Sequence, residues 1–183
     1  MQLEAWVILE NEEYDAVWDK IYDGFAFHPS CDVMAATPAF RLPMCHKEYR
    51  FGSSFYFTDA QNELIKSIFA SCMGTDDYMY ALDWQHTGFR YNPKSPLPMQ
   101  KRARIHDERY PFGGYIAEFP DFYPNGDYYF FIAKDFSWGY LSHPWQRKLW
   151  IFGDALMKAF EQAAVELDLN ESALDAGGGE SPA

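Results

Sequence analysis

The stretch "PDFYPNGDYYFFIAKDFSWGYLSH", Pro120 to His143, decides the fold. Its "PNGD" is a turn signal, because Asn and Gly tolerate the backbone angles that a tight hairpin needs. Asp127 to Lys134 then reads as a strand rich in β-favouring rings, Asp135 to Gly139 holds the next turn, and Tyr140 to His143 begins the return. Strands joined by turns this short pair antiparallel. After "PWQRK", the segment "LWIFGDALMKAFEQAAVEL" carries Phe152, Leu156, Phe160, Ala163 and Leu167 at helical spacing. A strand running to about Phe152 therefore feeds a final helix.

Working outward, "TDAQ" at Thr58 to Gln61 is a capping box, and Leu64, Ile65, Ile68, Phe69 and Cys72 form the apolar face of the helix it opens, with Gly74 closing it. An earlier helix follows Asn11, which can cap it; Glu12 and Glu13 suit the positive end of its dipole, Tyr14, Val17, Trp18, Ile21 and Tyr22 form its stripe, and Gly24 ends it. "FAFHPS" reads as a short extended piece, and the prolines at 38 and 43 leave the next segment irregular. "YMYALDWQHTGFRYNP" reads as two short strands or one kinked strand around Gly88. From Pro93 to Pro111 the chain is a polar, proline-punctuated loop of nearly twenty residues, long enough to suggest a functional loop. The expected fold is α+β, an antiparallel meander sheet with amphipathic helices packed on one face. The expected organisation is a single domain over 1–168 and a disordered acidic tail over 169–183.

The 27 acidic residues outnumber the 15 basic ones, for a net charge of −12, which argues against a nucleic-acid binder, since phosphates must be neutralised by Lys and Arg. "KRARIHDER", Lys101 to Arg109, is a local basic island that reads as a solvated loop. Three cysteines, Cys31, Cys45 and Cys72, without a CxxC pair, fit a reducing cytoplasm rather than a disulfide framework. The N-terminus has no basic leader, and no stretch reaches the length of a membrane span. A cytoplasmic protein with no membrane partner is expected.

The chemistry is sparse. Asp83 and His86 are three residues apart, so a regular strand would send them to opposite faces, and a dyad needs a bulge between them. His143 precedes Pro144, which favours an extended backbone, and could meet His86 or Asp83 if the meander brings the strands together. A histidine beside an acid can serve as a general base near neutral pH, but a core histidine held by one hydrogen bond is the plainer reading. His28, His46, His86, His106 and His143 are scattered and no HExxH is present, so neither a metal nor another cofactor is expected. Cys45 beside His46 lacks an orienting acid, and there is no GxSxG. What remains is the aromatic run "DFSWGYLSHPWQRKLWIF", where Trp138, Tyr140, Trp145, Arg147 and Trp150 are residue types that dominate protein interfaces, and are also good core residues.

"ALDWQH", "GDYYFF", "HPW" and "IFG", in that order, together with "VWDKIYDGFAFHPS" near the start, resemble an uncharacterised bacterial family, the domain of unknown function numbered twenty-seven sixteen. The resemblance runs from about Tyr14 to Val165 and marks Asp83, Trp84, Gln85, His86, Gly126, Asp127, His143, Pro144, Trp145 and Gly153 as pattern residues. It implies no activity. Small size, acidity, aromatic excess and the missing catalytic motifs point to a non-catalytic interaction protein, an immunity protein that blocks a cationic bacterial toxin, with Trp138, Tyr140, Trp145, Arg147 and Trp150 as its binding residues. The alternative is a small enzyme or ligand-binding domain with a pocket around Asp83, His86 and His143. A structural subunit of a larger assembly is a third.

Overall fold

The structure is a computed structural model that describes residues 5–32, 34, 37–97, 101–106 and 112–172. In chain order its first half holds β1 (Trp6–Ile8), α1 (Asn11–Gly24), β2 (His46–Phe51), α2 (Asp59–Cys72), β3 (Met79–Asp83) and β4 (Gly88–Tyr91). Its second half holds β5 (Arg102–His106), β6 (Gly114–Glu118), β7 (Tyr129–Ala133), β8 (Gly139–His143), β9 (Lys148–Phe152), α3 (Asp154–Ala163) and β10 (Leu169–Glu171). Eight strands form one sheet in the order β1-β4-β3-β7-β8-β9-β2-β10, and β5 and β6 form a separate hairpin. Every pairing in both sheets is antiparallel, so the fold is α+β, and β7, β8 and β9 make the meander.

Both faces of the large sheet are buried. Along β7, Phe131 and Ala133 point into one core with Ile65, Ile68 and Phe69 of α2 and Leu156, Met157 and Phe160 of α3. Phe130 and Ile132, the alternate residues of the same strand, point into a second core with Val17, Trp18 and Ile21 of α1. α2 and α3 thus share one face, and α1 covers the other, where the sequence reading had placed every helix on one side. The reason is visible in "YFFIA" and "KLWIF": a strand covered on both faces shows no polar alternation, and a continuous apolar run does not say how many layers cover it. Phe69 is the hub of the first core, stacked on Phe131 at 5.5 Å and on Trp138 at 5.9 Å, and edge-on to Tyr140. Trp18 meets Phe130 at 5.6 Å in the second.

Local signals explain the element ends. Thr58 caps α2 by accepting the Gln61 amide, and the Gln61 side chain accepts the Thr58 amide in return. α1 lacks such a cap: Asn11 is already helical and Glu10 stands at the N-cap with no side-chain bond. Gly153, at φ +90°, turns β9 into α3 against Trp138, whose Cβ would lie 2.3 Å from a Cβ placed there.

"FAFHPS" forms no strand; its Phe27 is a buried plug stacked on Phe40 at 5.0 Å, and amides of His28 and Arg41 tie the piece to the 39–41 segment and to Phe25. Two further expectations are corrected. The polar loop from Pro93 contains β5, whose "RARIH" alternates Ala103 and Ile105 against charged neighbours, while residues 98–100 and 107–111 lie outside the described residues. The domain also extends past 168, because β10 pairs with β2, and the remainder of the supposed tail, 173–183, lies outside the described residues. All three cysteines are free. Among the described residues no helix is long and apolar enough to cross a membrane.

Phe69→Ala should cost about 3–5 kcal/mol in denaturant unfolding, as expected for an aromatic deleted from a packed core, against about 1 kcal/mol for Thr58→Ala, which removes only a cap. Equal losses would show that α2 is held by its cap rather than by the sheet.

Candidate functional site

β3 ends at Asp83, and the chain reverses before β4. The reversal is closed by two backbone bonds, His86 N–H to Asp83 O at 3.1 Å and Asp83 N–H to Thr87 O at 3.0 Å, with Gln85 in the left-handed region at φ +64°. His86 is therefore folded back onto the residue three before it. Its Nδ1 lies 3.0 Å from Asp83 Oδ1, with no bulge required, because strand alternation ceases to apply where the strand stops. The same Nδ1 lies 3.5 Å from Oδ2 of Asp127, the last residue of the "PNGD" turn. Asp127 is oriented by the Tyr128 amide, which donates to its Oδ1 at 2.7 Å. β3 and β7 are neighbours with Asp83 opposite Tyr129, so the turn after one strand and the turn before the other meet at the same end of the sheet.

The cluster opens onto a cleft of about 590 Å³ walled by α1, the β3–β4 turn and β6. Its lining includes Tyr14, Asp83, His86, Glu118 and Tyr129, and among the described residues it holds no lysine or arginine. Glu118 is engaged by Arg102 across the β5–β6 hairpin at 2.9 Å. Burial pushes the Asp83 carboxyl up to about 6, against the lowering effect of His86. Burial likewise raises Asp127. Burial alone would lower His86, but the charges of Asp83 and Asp127 outweigh it and the imidazole ends above its ordinary value. Acid and imidazole are thus both raised, and they meet on a solvent-reachable surface.

His143 is elsewhere. It is fully buried in β8 and does not line the cleft. Gln146 N–H donates to its Nδ1 at 3.3 Å, and its Nε2 lies 3.1 Å from the Tyr128 hydroxyl. That hydroxyl already donates to Ser30 O and accepts from Ser30 N–H, so His143 must donate from Nε2 and is the neutral Nε2–H tautomer. Burial pushes it down to about 4. It braces the 28–32 segment against the sheet and takes no part with His86.

The aromatic run does not form one surface. Trp138 and Tyr140 are buried in the α2–α3 core, the Tyr140 hydroxyl donating to Phe122 O, and Trp150 is buried in the α1 core against Phe40 at 5.0 Å. Trp145 is half-buried against Tyr128 at 5.4 Å. Arg147, also half-buried, donates to Gly52 O and Ser54 O and lies 4.2 Å over the Phe55 ring, which fastens the loop after β2. Sequence reasoning missed Asp127 as a neighbour of His86 and Glu118 as a wall of the same cleft; the available signal was that two turns adjoin strands that could pair.

The sequence model of the family described as "Protein of unknown function (DUF2716)" matches residues 8–157. The chain belongs to this family. It is also 30% identical over 164 residues to "Uncharacterized protein YxiI" of Bacillus subtilis (strain 168), a match that covers 85% of this chain and 92% of that protein. No solved structure matches significantly. The matched span contains the Asp83–His86–Asp127 cluster, Glu118 and Tyr129, so the whole cleft floor belongs to the shared domain.

A carboxyl whose folded pKa lies above its unfolded value binds its proton more tightly when folded, so stability falls as pH rises from about 4 through about 6. His86, also raised, contributes stability below its ordinary value that is lost as pH rises through the folded one. Asp83→Asn should flatten the stability profile between pH 4 and 6 and leave the protein more stable than wild type at pH 7 by urea unfolding. An unchanged slope would contradict the burial of Asp83.

Proposed function

We propose that this protein is a non-catalytic binding protein of the bacterial cytoplasm, an immunity protein that neutralises a toxin by direct contact, and that its contact surface is the acidic cleft. The observation that carries the proposal is a cleft with Asp83 and Glu118 in its wall and, among the described residues, no lysine or arginine in its lining. A lysine or arginine of a cationic partner fits that chemistry, and the chain's net charge of −12 would steer such a partner toward it. Ile116, 63% exposed beside the cleft, supplies apolar area at the rim, which an acid patch alone lacks. Because Trp138, Tyr140 and Trp150 are occupied in the cores, the proposed contact residues are Asp83, His86, Ile116 and Glu118, with Trp145 and Arg147 on a different part of the molecule.

One observation favours a second reading, a small enzyme or ligand-binding domain: the Asp83–His86 pair at 3.0 Å beside a solvent-reachable cleft has the geometry of a general base and its orienting acid. Its pocket would centre on His86 without His143.

Co-expression with the toxin encoded beside this gene should restore growth and give a complex that co-purifies, and Glu118→Lys together with Asp83→Lys should abolish both while the variant stays folded. Unchanged survival with the wild-type protein would overturn the proposal. Protection lost on His86→Ala while the complex still forms at wild-type affinity would favour the enzyme reading.

A further inference from the structure

We propose that Asp83, His86 and Asp127 form a binding site for a first-row divalent cation of the zinc class, beside the cleft that Asp83 and His86 line. One nitrogen and two carboxylate oxygens converge here, all within 4.8 Å of one another. The spacing is close to a coordination polyhedron: with metal–ligand bonds of about 2.0–2.2 Å, the edges between ligand atoms are about 2.9 Å in an octahedron and about 3.4 Å in a tetrahedron. The two edges from His86 Nδ1 are 3.0 and 3.5 Å. A cation would sit where the Nδ1 hydrogen now lies between two carboxylates. The imidazole can give up that position, because its side chain is 62% exposed and Nε2 can carry the proton in contact with water.

Two features separate this cluster from an ordinary acidic patch. Among the described residues neither Asp83 nor Asp127 meets a lysine or arginine, so two largely buried carboxylates share a single imidazole as their cationic partner. Their side chains are 13% and 16% exposed. Asp127 is also held by the Tyr128 amide at Oδ1, which leaves Oδ2 as the aimed ligand, the outer-sphere arrangement that fixes metal-binding carboxylates. The adjoining cleft leaves room for water or a ligand to complete the coordination, as in sites that exchange a ligand rather than closed structural ones. The imidazole favours zinc, cobalt or nickel over magnesium and calcium, which prefer all-oxygen shells.

The inference concerns the isolated protein and does not depend on any toxin. The test is calorimetric titration of chelator-treated, untagged protein with Zn²⁺ alone, beside Mg²⁺ and Ca²⁺. One Zn²⁺ per chain is expected, weakened at least tenfold in both His86→Ala and Asp127→Asn, with a hundredfold excess of Mg²⁺ or Ca²⁺ failing to displace it. Cys45→Ser with His46→Ala should bind as wild type, which separates the site from the exposed Cys45 and its neighbour. The circular dichroism of each variant should match wild type; should His86→Ala misfold, the conservative His86→Gln takes its place. No Zn²⁺ bound by wild type, or binding that survives both ligand variants, would overturn the proposal.

Discussion

The structure depends on one constraint: the central antiparallel sheet is buried on both faces, so consecutive side chains of β7 must satisfy two different cores. Phe131 faces α2 and α3, and Phe130 faces α1. A one-residue slip in the pairing of β7 with β3 or β8 would exchange those two sets and disrupt both cores together, so register is strongly fixed. The chain's aromatic richness follows from this. Two apolar layers need filling, and rings such as Phe69 and Trp18 supply the area.

A sheet sealed on both faces leaves polar chemistry only at its ends and beyond its edges. That is where the cluster lies. β3 stops at Asp83 and β7 starts just after Asp127, and because the two strands are paired, their terminal carboxylates arrive side by side. His86 is carried to them by the turn, and the β5–β6 hairpin closes the far wall of the cleft with Glu118. His143, inside the sheet, meets the opposite fate and becomes a neutral brace for Tyr128. The same fold thus assigns two histidines of similar sequence context to different roles, one exposed and charge-paired, one sealed.

Much of the architecture was legible in the sequence, because its signals are local. The capping box at Thr58, the "PNGD" turn, the stripes of α1 and α3 and the antiparallel meander each rest on residues a few positions apart. What was not legible depends on contacts between distant segments. A continuous apolar strand such as β7 does not reveal whether one layer or two will cover it. The strand alternation applied to Asp83 and His86 was sound for a strand, but the backbone turns at Trp84 and Gln85, and Gly88, which marked the break, stands at the far end of the turn rather than at its left-handed residue. The aromatic run around Trp145 is interface-like in composition, yet Trp138 and Trp150 are committed to separate cores, a division fixed by pairing rather than by composition.

The division of labour between the two histidines is tested most directly by following their ring nitrogens with long-range ¹H–¹⁵N NMR across pH 4 to 9. His143 is expected to remain the neutral Nε2–H tautomer down to about pH 4, while His86 titrates above the ordinary histidine value and moves back toward it in Asp127→Asn. A His143 that titrates near its ordinary value, or a His86 indifferent to Asp127, would contradict a sealed brace and an end-of-sheet cluster.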